Sequence, residues 1–350
     1  DVRRYGAWMR ERAKERIGDL YPDVTALDEK TGRTSTAKTI AWIWARTVTC
    51  PNPACGIAMP LVRSWWLGRK KGKEAYVVPS VVLDANTISG RSVEFKIRHD
   101  AAKGPTATTD GTVGRQGATC LACGSAVDFK YVREESRAKR MSAQLMAIVA
   151  EGDRGRVYFA ASHEHIKAAS IAPPSGVPSG NIFNWPGRIN VYTYGLTKFS
   201  DLFTNRQLVA LTTFSDLVGE ARMKILEDAL AARFPTDVRL AEGGSGAEAY
   251  ADAVATYLGM AVSRTTDLNN ALVTWSNSRD QARNLFARQA IPMAWDFVEV
   301  SPFARAAGDL SIATETQGEA LERLPTPAAA EARQADAAAR DYVGFVVSTD

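Results

Sequence analysis

The four cysteines of the chain limit its possible folds more than any other feature. They form two close pairs, Cys50 with Cys55 and Cys120 with Cys123. Two tight pairs with short internal spacing are typical of a tetrahedral zinc site with four thiolate ligands. A glycine follows the second cysteine of each pair, where a small residue helps the turn around the metal to close. The pattern therefore predicts one structural zinc ion, with no coordination position left open for water.

Two other interpretations of the cysteines are open. They can be four ordinary buried thiols, or they can form disulfides, although nothing in the sequence indicates an oxidising compartment. The 64 residues between the pairs are too many for a minimal zinc finger and suit a zinc ribbon with an inserted β extension. The chain has neither a signal-peptide pattern nor an apolar run of the roughly 18 residues that span a membrane, so we expect a soluble, cytoplasmic protein.

Hydrophobic spacing predicts an α+β fold, a mostly helical protein with an inserted β-rich zinc ribbon. We expect a helix and strand in residues 1–46, the ribbon with its β insertion in 47–130, and a mainly helical region in 131–325. Helices are predicted over residues 1–20, 134–149 and 247–275, and strands over 39–45, 76–79, 93–97 and 156–160. Thr204-x-x-Gln207 has the form of a capping box and should begin a long helix.

Charge is concentrated in the segment between the cysteine pairs. It holds ten basic and five acidic residues, a net +5, against a net +4 for the whole chain. A basic run follows Trp65-Trp66 and supplies the candidate nucleic-acid contacts Arg69, Lys70, Lys71 and Lys73. Basic groups beside aromatic rings can contact phosphates and stack on bases. The alternative is that the tryptophans pack under the ribbon and the lysines form a solvated turn.

Two further groups of polar residues are candidates for a functional site. His163-Glu164-His165 brings no third ligand close and is not expected to bind a metal. Asp296 and Glu299 lie three residues apart and would share one face if the segment were helical. They would then either line a cleft or accept hydrogen bonds in the core from Arg283 or Arg288, and the second is the expected role.

Three stretches of the sequence resemble a bacterial and archaeal family described as adenine-specific DNA methylases that contain a zinc ribbon. The first holds Cys50-Pro51-Asn52-Pro53-Ala54-Cys55-Gly56, Pro60-Leu61 and Arg63-Ser64-Trp65-Trp66-Leu67. The second runs from Tyr192 to Phe203 and continues in Asn205-Arg206-Gln207, and the third is Arg288-Gln289-Ala290-Ile291-Pro292-Met293-Ala294-Trp295-Asp296-Phe297-Val298-Glu299. The likeness extends over nearly the whole chain.

The resemblance implies a Rossmann-like methyltransferase sheet, of which residues 326–350 would be the first catalytic part. Val343 to Thr349 looks like its fourth strand, and Asp350 looks like the first residue of a catalytic Asp-Pro-Pro-Tyr motif. Asp336 stands where related methylases contact the adenine of S-adenosylmethionine. The glycine-rich cofactor loop and the rest of the motif are missing, so we expect this chain to be an internal fragment without activity of its own.

The implied reaction is methyl transfer from S-adenosylmethionine to the exocyclic amine of adenine in DNA. That amine is a weak nucleophile, and an aspartate that accepts its hydrogen bond favours the attacking geometry. We therefore expect part of an adenine-N6 DNA methyltransferase with zinc and S-adenosylmethionine as cofactors, DNA as partner and no membrane contact. The alternatives are a non-catalytic zinc-ribbon module that binds nucleic acid, or a methyltransferase acting on RNA.

Overall fold

The computed structural model describes residues 1–27, 34–152, 155–287 and 289–324, and it has an α+β architecture. The helices are α1 (Val2–Ile17), α2 (Phe129–Arg137), α3 (His163–Ala169), α4 (Asn205–Ala231), α5 (Ala247–Thr265) and α6 (Leu310–Arg323). The strands are β1 (Val24–Leu27), β2 (Thr34–Ala37), β3 (Thr39–Thr49), β4 (Ala58–Leu61), β5 (Trp66–Gly68), β6 (Ala75–Leu83), β7 (Arg91–Arg98), β8 (Gly117–Thr119), β9 (Ala126–Asp128), β10 (Ser142–Gly152), β11 (Gly155–Ala160), β12 (Thr274–Ser276), β13 (Gln281–Arg283) and β14 (Asp296–Val300). Short 3-10 helices lie at Gly18–Leu20, Ala101–Lys103, Asn190–Tyr194, Phe199–Leu202, Leu240–Glu242 and Leu285–Ala287.

A five-stranded antiparallel sheet forms the centre of the fold. Its order is β11-β10-β3-β14, and β4 pairs with the far end of β3. The sequence of β3, Thr-Ile-Ala-Trp-Ile-Trp-Ala-Arg-Thr-Val-Thr, is rich in β-branched and aromatic residues, which favour strands. Most of its residues are buried on both faces of the sheet, as expected for a central strand covered by a layer on each side.

Each face of this sheet has its own hydrophobic core. On one face, Trp42, Leu145 and Ile148 pack with apolar residues of the helices α1, α4, α5 and α6. On the other face, Ile43 and Met146 belong to a core that also contains three of the four cysteines. The sheet therefore separates a helical layer from the cysteine-containing layer.

The central sheet draws its strands from three of the ranges expected to be separate regions. Strand β3 begins within residues 1–46, β4 lies within 47–130, and β10, β11 and β14 lie within 131–325. The last range, expected to be mainly helical, contains α3, α4, α5 and α6 and also supplies three of the five central strands. The Rossmann-like sheet implied for residues 326–350 lies outside the described residues. No helix in the described part of the chain has the length and apolar character needed to cross a membrane.

The helix expected over residues 134–149 is wrong for most of its length. Helix α2 ends at Arg137, and Lys139 takes a positive φ of 59° that breaks the helical path. The chain then enters β10, which pairs with β3 on one side and β11 on the other. A short, continuous apolar run has no periodicity that distinguishes a buried strand from a helix.

The other element predictions differ in outcome. The helix over residues 1–20 is confirmed by α1 and the 3-10 turn after it, and the capping box before α4 is confirmed in both directions. The helix expected over 247–275 is too long, since α5 ends at Thr265. There the side chain of Asn269 donates to the Thr265 carbonyl (3.1 Å) and that of Asn270 to the Thr266 carbonyl (2.8 Å), which satisfies carbonyls at the helix end.

Candidate metal centre and basic surface

Two hairpins bring the cysteine pairs together. Cys50 and Cys55 occupy the turn between β3 and β4, and Cys120 and Cys123 occupy the turn between β8 and β9. The amide of Cys50 donates to the Ile57 carbonyl at 2.8 Å, which closes the first turn. The glycine after each pair has a positive φ, 56° in the first turn and 73° in the second, which a residue with a side chain adopts only with strain.

The four sulfur atoms form one compact group. Cys50 Sγ lies 3.7 Å from Cys123 Sγ, and Cys55 Sγ lies 3.9 Å from Cys120 Sγ. All four lie within 4.8 Å of one another, so they can hold one metal ion. Three of the thiols are buried and Cys123 is exposed. Within residues 1–27, 34–152, 155–287 and 289–324, no other group of histidine, cysteine and acidic side chains converges in this way.

The environment of the thiols is asymmetric. Burial raises the pKa of Cys50 to about 12 and also raises the pKa of Cys120. Hydrogen bonds from the side chain and backbone of Ser125 lower the pKa of Cys123 to about 6. A metal ligand must be a thiolate, and a bound cation would favour that form for the buried sulfurs as well.

Sequence reasoning missed two residues that support the metal centre. Ser125 Oγ lies 3.2 Å from Cys123 Sγ, and the side-chain Nδ2 of Asn52 donates to Ser125 Oγ at 3.3 Å. Asn52 also caps its own turn, since its side-chain oxygen accepts from the Ala54 amide at 3.0 Å. Asn52 lies inside the first cysteine pair and Ser125 lies two residues after the second, positions that could have marked them.

The basic run lies in the turn between β5 and β6, which we call the basic turn, residues 69–73. The guanidinium of Arg69 lies 5.0 Å from the centre of the Trp66 ring and pairs with Asp110 at 3.1 Å. Trp65 is buried, whereas Trp66 is partly exposed. The alternative interpretation, in which the tryptophans pack under the ribbon, therefore describes Trp65. Trp66 instead lies against the guanidinium of Arg69.

The three lysines of the basic turn differ in their partners. Lys70 pairs with the buried carboxylate of Asp280 at 2.8 Å. Lys71 and Lys73 are exposed, and neither has a carboxylate oxygen within 4.0 Å among the residues that the structure describes. Half of the four candidate cations are therefore neutralised within the protein.

Asp296 and Glu299 lie on β14, so the helical arrangement considered from the sequence is wrong. Three residues apart on a strand, they point to opposite faces of the sheet. Asp296 accepts from the Arg63 amide at 2.8 Å, and burial raises its pKa. Glu299 forms a fully buried ion pair with Arg206 at 2.7 Å. Their expected role in the core holds, but with Arg63 and Arg206 as partners.

One of the two histidines is part of the core as well. His165 is buried and accepts a hydrogen bond at its Nδ1 from the Trp42 indole at 2.8 Å, while His163 is exposed.

The sequence candidates for catalysis and cofactor binding, Asp350 and Asp336, lie outside the described residues. Comparisons with protein-family models, with curated proteins and with solved structures give no match to this chain.

Proposed function

We propose that this chain binds one structural zinc ion through its four cysteines and is the DNA-contacting part of an adenine-N6 DNA methyltransferase that uses S-adenosylmethionine. The observation that carries the proposal is the convergence of four sulfur atoms from two hairpins 64 residues apart in the sequence. The methyltransferase assignment adds to this the resemblance of three sequence segments.

The spacing of the sulfur atoms fits zinc. A Zn–S bond of about 2.3 Å in a regular tetrahedron places neighbouring sulfurs about 3.8 Å apart. The distances from Cys50 to Cys123 and from Cys55 to Cys120 are 3.7 and 3.9 Å, and both join a sulfur of one hairpin to a sulfur of the other. Four thiolates fill a tetrahedral shell, so the proposed ion would link the hairpins and would not activate water.

The segments that resemble the methylase family meet around β14. The first segment reaches it through the Arg63 amide, which donates to Asp296. The second reaches it through Tyr194, whose ring packs edge-on against Trp295 with centroids 5.2 Å apart. Arg206, also in the second segment, pairs with Glu299. Contact between the stretches that carry the likeness supports the view that it reflects a common fold.

S-adenosylmethionine would supply an electrophilic methyl group. The resemblance gives Asp350 the role of accepting a hydrogen bond from the adenine amine, and gives Asp336 a contact with the cofactor. The basic turn would contact the DNA backbone through Lys71 and Lys73, the two of its four candidates without a carboxylate partner among the described residues.

The test measures methyl transfer by the natural protein that carries this sequence, with labelled S-adenosylmethionine and either duplex DNA or RNA that contains adenine. We expect transfer to DNA, its loss in Asp350→Ala and full activity in the surface control Asp19→Ala. Zinc should be present at about one ion per chain in both variants.

Each alternative outcome has a distinct meaning. Transfer to RNA alone would assign the RNA substrate. Zinc and DNA binding without any methyl transfer would identify a non-catalytic module and refute the enzyme assignment. Full metal content in the Cys50→Ser/Cys120→Ser variant would show that the cysteines are not the ligands.

A further inference from the structure

A second basic segment lies against the basic turn, although 200 residues separate them in the sequence. It is the hairpin of β12 and β13, residues 274–283. The amide of Arg69 donates to the Asn277 carbonyl at 2.8 Å, and Lys70 Nζ donates to the Arg279 carbonyl at 3.2 Å. The first contact comes from the backbone of the turn and the second from a side chain, and both hold the turn against the tip of the hairpin.

Asp280 joins the two segments from within. It takes a positive φ of 54°, which aspartate tolerates better than most residues, and its side chain is buried. Its carboxylate pairs with Lys70 at 2.8 Å and accepts from the Tyr158 hydroxyl at 3.0 Å. The same hydroxyl lies 3.0 Å from the carbonyl of Leu67 in β5, two residues before the turn begins. The relative position of turn and hairpin is therefore set by buried polar contacts.

The hairpin presents hydrogen-bond donors to solvent. An open cavity of about 440 Å³ lies along it, with polar walls formed by Ser276, Ser278, Arg279, Gln281, Arg283 and Asn284. In β13 the buried Ala282 alternates with the exposed Gln281 and Arg283, so these two side chains share the outer face. Within the described part of the chain, neither Arg279 nor Arg283 has a carboxylate oxygen within 4.0 Å.

This set of groups matches a phosphodiester backbone. Guanidinium, amide and hydroxyl groups make most protein contacts to phosphate oxygens, and arginine can donate two parallel hydrogen bonds to one phosphate. We infer that the basic turn and the hairpin 274–283 form one surface that binds the backbone of a nucleic acid. Its contacting cations are Lys71, Lys73, Arg279 and Arg283, the four that have no carboxylate partner among the described residues of the chain. The inference rests on the DNA contact in the proposed function and adds the hairpin to it.

The test compares three charge-matched variants of the chain. They are Arg279→Gln/Arg283→Gln in the hairpin, Lys71→Gln/Lys73→Gln in the turn, and a control on exposed faces of α1 and α2, Lys14→Gln/Lys130→Gln. The dissociation constant for a fluorescent 20-bp DNA duplex is measured by anisotropy from 50 to 200 mM salt. A parallel series uses duplex RNA of the same sequence.

Each phosphate contact contributes about 0.9 to the slope of log affinity against log salt. We expect the hairpin variant and the turn variant each to lose roughly 1.8 from this slope, and to bind about 60-fold more weakly at 0.1 M salt. A variant that combines the hairpin and turn substitutions should lose about twice as much from the slope. The control variant should bind as tightly as the unchanged chain.

Other outcomes separate this inference from the proposed function. If the turn variant weakens binding and the hairpin variant keeps the original slope, the hairpin is not part of the surface, but the proposed DNA contact stands. An equal loss in the control would show that only net charge matters and would overturn the inference. Failure of the unchanged chain to bind either duplex would refute both. If the chain binds RNA more tightly than DNA and the same variants weaken that binding, the proposed surface stands and its ligand is RNA.

Discussion

Replacement of Cys50 and Cys120 by serine removes one ligand from each hairpin turn of the proposed zinc site. A metal held by the four sulfurs cross-links the chain, and the shortest loop that it closes between the two pairs runs from Cys55 to Cys120, 65 positions apart. Treated as a cross-link on a loop of that length, the ion restricts the unfolded chain by an entropy worth about 4 kcal/mol at 25 °C. We expect the variant to lose about that much free energy of unfolding.

The assay is urea unfolding of both proteins, each with zinc and with a strong chelator. The chelator should bring the unchanged chain down to the stability of the variant and leave the variant unaffected, because the variant has no complete site to lose. Metal content is measured on the same samples. Equal unfolding free energies in zinc, or an equal effect of the chelator on both proteins, would refute the reasoning.

Two further predictions concern ion pairs. Glu299→Gln leaves the buried Arg206 without its charge partner and should cost about 3–5 kcal/mol in unfolding free energy. The control Glu220→Gln removes the exposed partner of Arg16 and should cost about 0–1 kcal/mol. Equal costs of the two variants in urea unfolding would contradict the buried pairing. Hydrogen bonds from arginine side chains are the main cause of the lowered pKa of Asp252. Its contribution to stability is therefore fully present above the ordinary aspartate pKa. The contribution is lost progressively as the pH falls below that value and through the lower native pKa. The stability cost of Asp252→Asn should therefore be larger at pH 7 than at pH 3, and a cost that does not change with pH would argue against it.

The candidate metal centre could be predicted from sequence because its signals are local. Each cysteine pair and its glycine fall within seven residues, and the turn chemistry needs nothing from the rest of the chain. What the spacing leaves open is which distant turns meet. Here chemistry supplied the missing information, since four thiolates complete a tetrahedral shell and two do not.

The central sheet was harder to predict because its signals are not local. The residues of β10 form an apolar run that is compatible with a helix, and only their pairing with β3 and β11 makes them a strand. Strand preference depends strongly on such packing. The same limit applies to Asp280, which looks like an ordinary turn residue in the sequence. Its role depends on contacts with Lys70 and Tyr158, which are distant from it in the sequence.

The candidate metal centre and the proposed basic surface are held in place by separate contacts. The basic turn lies on the excursion of the chain between the two cysteine pairs, so a metal ion would fix the ends of that excursion. The turn itself is held by Asp110, which accepts from the Trp65 amide at 2.6 Å and pairs with Arg69, and by Asp280 in the hairpin. These contacts do not involve a cysteine. Loss of the metal should therefore first lower the stability of the two turns that hold the cysteines. It should change the affinity for nucleic acid only when the contacts of Asp110 and Asp280 are also lost.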